Sequence, residues 1–194
     1  MPFRARRFHH GAVAPFVCFP YNRRTMISRL PGRLLAAVVA TAALAPAPAR
    51  SQTQDERDVI AVVQKMFDAI ANCDEASARA ISMPEGRLYR KVAGTDEGVR
   101  SSTFEEFNAS VGKCGRKVLE RIWDPQVRVH KGIATLWAPY DLWLNGEFSH
   151  CGIDSFELAK TGEGWKFTSG LYTIERTGCA PSPLGPPSAE GAAR

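Results

Sequence analysis

Apolar residues recur at three- and four-residue spacing between positions 55 and 71, at Val59, Val62, Val63, Met66, Phe67 and Ile70. That period marks one face of an amphipathic helix. Its acidic start, Asp55, Glu56 and Asp58, suits a helix N-terminus. A second short helix is expected over residues 75–81, stopped near Pro84. A strand over 86–92 follows, then a polar loop over 93–100. A third helix begins near Ser102, where Ser102 with Glu105, or Thr103 with Glu106, has capping-box spacing. Phe104, Phe107 and Val111 form its apolar side, and Gly115 suits its end.

Beyond residue 117 the period changes to two. Strands are expected over 118–123, 126–130, 133–144, 147–160 and 165–175, separated by turn residues. Asn145-Gly146 is the strongest of these turns, because a type I′ hairpin needs φ > 0 at both central positions. Folding about it sets Asp141 opposite His150 and Trp143 opposite Phe148. One face of that hairpin then holds Trp137, Asp141, Trp143, Phe148, His150, Asp154 and Phe156. The other holds Leu136, Tyr140, Leu142, Cys151 and Ile153. Pro139 and Gly152 fall opposite each other, and a bulge there would shift the register. If Glu163-Gly164 forms the next turn, Trp165, Phe167, Leu171 and Cys179 share the first face.

Helices followed by a meander of strands indicate an α+β fold. Residues 1–51 read as an N-terminal extension with a secretory signal, 52–179 as one domain, and 180–194 as a disordered tail rich in Pro, Gly and Ala. Arg29 and Arg33 precede an apolar run over 34–44, too short to span a bilayer, and small residues follow it. Cleavage after Ala49 or Ser51 fits. Met26 is a natural start for such a signal. General secretion is the favoured route, with a twin-arginine signal at Arg23-Arg24 and an uncleaved anchor as alternatives. The expected location is periplasmic or secreted.

The net charge of +5 changes meaning once the leader is set apart. Residues 1–51 carry eight of the 25 Lys and Arg and none of the 20 Asp and Glu, leaving the rest at about −3. No nucleic-acid partner is indicated. Outside the leader the cysteines are Cys73, Cys114, Cys151 and Cys179. Four cysteines allow three pairings. Cys73 and Cys114 sit at expected helix ends, and Cys151 and Cys179 in the sheet region, which favours 73–114 with 151–179 over free thiols. A 151–179 bond requires Cys179 to lie past the strand end. No metal-ligand spacing, phosphate loop or nucleophile elbow occurs, so no cofactor is expected.

The stretch IATLWAPYDLWLNGEFSHCGIDSFELAKTGEGWKFTSGLYTIERTGC resembles the nuclear transport factor 2-like superfamily, the cone fold of SnoaL-like proteins and ketosteroid isomerases, and in particular exported bacterial members. The resemblance spans about 55–179. It implies three N-terminal helices on a bent, mainly antiparallel sheet, a pocket at the wide end and frequent homodimers. It does not set a function, since the same cone serves enzymes and binding modules. The catalytic sets of ketosteroid isomerases, scytalone dehydratase and limonene epoxide hydrolases do not map onto this chain residue by residue.

Candidate chemistry centres on the hairpin. His150 with Asp141 or Asp154 could act as a general acid or base, because a carboxylate fixes an imidazole's tautomer. Tyr140 could donate to an oxyanion if Pro139 turns it inward. Trp137, Trp143, Phe148 and Phe156 could wall a ligand. The competing reading is an ion pair and aromatics on an ordinary sheet surface. Trp123 and Trp165 read as core, and Tyr89 and Arg90 as a solvated edge. Three roles follow: a binder of a small apolar or amphipathic ligand, a dimeric interaction or envelope-assembly module, or a cofactor-free isomerase, dehydratase or hydrolase.

Overall fold

The structure, a computed structural model, describes residues 51–187. The signal and most of the extension, with Cys18, lie outside these residues, as do the last residues of the tail.

Helix α1 (Gln54–Asn72) starts at a capping box. Thr53 Oγ1 accepts from Glu56 N, and Glu56 Oε2 accepts from Thr53 N at 2.7 Å. Cys73 ends the helix in the left-handed region at φ 56°. Its apolar stripe is buried at Val59, Val63, Met66 and Phe67. Helix α2 (Glu75–Ala80) follows, capped by Asp74. Strand β1 (Ser82–Val92) starts four residues earlier than expected, with its ladder interrupted between Ser82 and Arg87, around Pro84. Part of the expected loop is a short strand, β2 (Arg100–Thr103). Thr103, not Ser102, caps α3 (Phe104–Val111), with Glu106 completing the box. That helix ends at Gly112, one turn before Gly115.

The remaining strands are β3 (Val118–Ile122), β4 (Gln126–His130), β5 (Ile133–Leu144), β6 (Glu147–Thr161) and β7 (Gly164–Ile174). They form a seven-stranded sheet in the order β2-β1-β7-β6-β5-β3, with β4 also on β5. Only β1 and β7 run parallel. Asn145 and Gly146 sit at φ 54° and 82°, as a type I′ turn requires. The inner face of β5 is Ala134, Leu136, Ala138 and Tyr140, all buried under the helices.

Two bulges decide what faces inward. Trp143 pairs with Phe148 as expected, but the next pair is Leu142 with His150, leaving Ser149 extra. Asp141 therefore lies opposite Cys151, not His150. This bulge lies two pairs beyond the turn, not at Pro139 and Gly152, where one would also have shifted the register. A second bulge at Thr168 separates Phe167, buried, from Leu171, which is exposed although it was expected on the same face.

The disulfides are Cys73–Cys114 and Cys151–Cys179. Cys179 lies beyond β7 and reaches Cys151 around a Cys151–Glu175 bridge. Within the described part of the tail, Arg121 Nη2 donates to Gly185 O at 2.9 Å. Among the described residues, no helix is long and apolar enough to cross a membrane.

Candidate functional site

A cavity of about 270 Å³ opens between α1, α3 and the inner face of the sheet. Met66, Phe67, Phe104, Phe156 and Phe167 make its apolar walls. Its polar groups are Glu120, Tyr140, His150, Asp154, Tyr172, Arg90 and Arg116. A larger hollow of about 580 Å³ lies along β4, β5 and β6, where Arg128, His130 and Glu157 all face solvent.

Asp154 is 1% exposed, at the centre of β6. Glu120, from β3, approaches it across the inner face and shares a hydrogen bond with it. Burial, then the neighbouring Glu120 charge, holds the Asp154 carboxyl well above the usual carboxylate range. Burial pushes Glu120 up to about 7, partly offset by the hydrogen bond it accepts from Asp154. Both carboxyls therefore hold a proton more tightly than free ones, and they titrate as a pair. Asp154 Oδ2 is buried and, apart from the Glu120 carboxyl, meets no hydrogen-bonding group.

Tyr140 was expected on the face away from His150, and it points inward with it. Its ring meets His150 edge-on at 5.8 Å, and its hydroxyl donates to Thr173 O at 2.6 Å. Gly152 makes this possible: a Cβ there would lie 2.3 Å from Thr173 O and 2.7 Å from the Tyr140 ring. Burial, then Asp154 and Glu120, raises the Tyr140 phenol well above its ordinary value. His150 Nδ1 is 2.9 Å from Ser149 Oγ. Burial, then Arg176, lowers the His150 pKa, so the imidazole is neutral near pH 7.

The first bulge splits the expected site. His150, Asp154 and Phe156 line the cavity together with Tyr140. Asp141, Trp137, Trp143 and Phe148 lie on the outer side of the hairpin. Asp141 is buried there by a bidentate pair with Arg121, at 2.8 and 2.6 Å. Arg121 also stacks over Trp143, whose ring meets Phe148 edge-on. Trp137 is half exposed. A carboxylate fixed this way neither orients nor charges His150. Trp165 is core, Trp123 is half-buried, and Arg90 lines the cavity rather than a solvated edge. The sequence reading missed Glu120. Strand β3 alternates Leu119 and Arg121 with Val118, Glu120 and Ile122, so both of its faces carry a charge and the pattern does not select one. Among the described residues, no group of three or more His, Cys, Asp or Glu is placed to hold a metal ion.

No family model matches the chain, and neither does any curated protein. Solved structures do match. A nuclear transport factor 2-like superfamily protein from Salmonella enterica superposes with TM-score 0.51 at 14% identity, over 65% of this chain and 94% of that one. A Nostoc punctiforme protein of unknown function with a cystatin-like fold gives 0.53 at 11%, over 69% and 97%. A Novosphingobium aromaticivorans protein described as a putative aromatic ring hydroxylase gives 0.52 at 14%, over 64% and 92%. The chain has the nuclear transport factor 2-like fold, a mixed α+β cone around an internal pocket.

Proposed function

We propose that this is an exported cone-fold protein that binds a small apolar or amphipathic molecule in the cavity beneath α1 and α3. The observation that carries the reading is the buried Asp154 carboxyl, beside Glu120, at the polar end of a space walled by Phe, Met and Leu. A site with apolar walls and a few convergent polar groups is the usual form of a small-molecule pocket. The fold neighbour described as a putative aromatic ring hydroxylase accords with that use of the cone. Two disulfides suit an oxidising compartment and support a periplasmic or secreted location.

Phe156→Trp tests the reading by filling the cavity from its wall. A panel of small cyclic ketones and alcohols should raise the melting temperature of the native protein and not of the variant. If no member of the panel moves the native protein, and native mass spectrometry of protein purified from the periplasm finds no bound molecule, the binding role is wrong.

A second reading, a cofactor-free isomerase, dehydratase or hydrolase, is favoured by one further observation. Glu120, pushed up to about 7 by burial, sits beside the raised Asp154 carboxyl, an arrangement suited to a general acid and base in one site. Glu120→Gln should then abolish turnover while ligand affinity stays within a few-fold. A dimeric interaction or assembly module would instead use the outer sheet face, where Ile133, Trp137 and Leu171 are exposed.

A further inference from the structure

One rung of the sheet crosses from its edge to its centre with an unusual order of side chains. Arg100 of β2 pairs with Arg90 of β1, Arg90 with Tyr172 of β7, Tyr172 with Asp154 of β6, and Asp154 with Ala138 of β5. The rung thus runs from two guanidiniums, past a phenol, to a buried carboxyl. Arg90, Tyr172 and Asp154 all line the cavity. A second hollow of about 260 Å³ adjoins it, sharing Leu88, Arg90, Phe107 and Tyr172, and adds Arg100, Ser101 and Ser102. Burial raises the Tyr172 pKa; Arg90 at one end opposes the rise, and Glu120 and Asp154 at the other add to it.

Two like charges directly opposite on neighbouring strands repel. One carboxylate, Glu97, lies between them. It pairs with Arg100, and its Oε1 lies 3.7 Å from Arg90 Nη2, longer than a charge-assisted hydrogen bond. Two guanidiniums thus share one negative charge, leaving a net positive vestibule with the Ser101 and Ser102 hydroxyls beside it. At the other end lies the buried Asp154 carboxyl, whose Oδ2 meets no hydrogen-bonding group but the Glu120 carboxyl. A carboxyl oxygen there can accept a hydrogen bond. A neutral donor suits the apolar surroundings there better than a cation, whose burial is costly.

We infer that the cavity and its vestibule together take a small bifunctional amphiphile, with a hydroxyl on Asp154, an apolar body against Leu88, Phe107 and Tyr172, and an anionic group on Arg90 and Arg100. Two steps across the sheet, from Asp154 to Arg90, span about 10 Å, with Arg100 one strand further out. A hydroxyaryl carboxylic acid has that span and chemistry. The inference rests on the small-molecule role proposed above and adds polarity, length and direction to it.

Isothermal titration of the full-length, disulfide-bonded protein with three probes tests it. The probes are 3-(4-hydroxyphenyl)propanoate, 3-phenylpropanoate, which lacks the hydroxyl, and 3-(4-hydroxyphenyl)propan-1-ol, which lacks the charge. The hydroxy acid should bind at least about tenfold more tightly than either, one charge-assisted or buried hydrogen bond being worth that much. Arg90→Ala should remove its advantage over the alcohol. Asp154→Leu should remove its advantage over 3-phenylpropanoate while leaving that probe's affinity unchanged. Arg116→Ala, at another part of the cavity wall, should alter neither ratio. Equal affinities for the three probes, or loss of the acid's advantage in Arg116→Ala and not in Arg90→Ala, overturn the inference. Failure of the hydroxy acid while neutral cyclic ketones still bind overturns it and leaves the cavity role standing. Failure of both overturns the two together.

Discussion

Replacing Glu120 by Gln should make the protein's stability less dependent on pH, by an amount the structure supplies. The Glu120 carboxyl rises from an ordinary 4.5 to about 7 on folding, chiefly through burial. The folded protein therefore holds this proton more tightly than the unfolded chain. The resulting stabilisation is fully present below about pH 4.5 and is lost as pH rises through about 7. At 1.36 kcal/mol per unit, the loss is about 3 kcal/mol across that window. Asp154, also raised, acts in the same direction. His150, lowered by burial, acts oppositely, since its protonation opposes folding as pH falls. These contributions overlap in the native protein, so the useful quantity is its difference from Glu120→Gln. The carboxamide keeps an acceptor for the Asp154 hydroxyl and cannot ionise. Urea unfolding at pH 4.5, 6 and 7.5, disulfides intact, gives both stabilities. Relative to the variant, the native protein should lose about 3 kcal/mol between the first and last pH. A difference that stays flat would refute the buried, proton-sharing pair.

Two other changes probe what holds the site in place. Gly152→Ala puts a methyl against Thr173 O and the Tyr140 ring, and should cost about 1–3 kcal/mol and alter the near-ultraviolet circular dichroism of the tyrosines; an unchanged unfolding midpoint would contradict the close approach. Arg121→Ala strands the buried Asp141 carboxylate and frees the strap at Gly185, with an expected cost of about 3–5 kcal/mol by urea unfolding. A loss below 1 kcal/mol would mean that Asp141 is solvated.

Much of the fold is legible in the sequence because its signals are local. The Thr103–Glu106 capping box, the apolar stripe of α1 and the Asn145-Gly146 turn are each set by a few neighbouring residues. The cysteine pairs also followed from which elements carry them. The site was less legible. Its parity arguments hold only as far as the next bulge, and Ser149 flips every residue of β5 before Trp143 relative to the expected pairing. That single residue moved Tyr140 in and Asp141 out.

The sequence by itself determined the order of helices and strands, the position of the central hairpin and the cysteines available to close the domain. The tertiary structure alone decided which face of the hairpin turned inward. It alone brought Glu120 to Asp154 from strands that do not pair with each other, and lined up Arg100, Arg90, Tyr172 and Asp154 across four strands. The physical reason is range. Caps, turns and periodicity are energies of residues close along the chain. Bulge placement and carboxyl pairing instead depend on packing across the whole sheet, where Gly152 yields space to Tyr140 and the helices above exclude water from two acids.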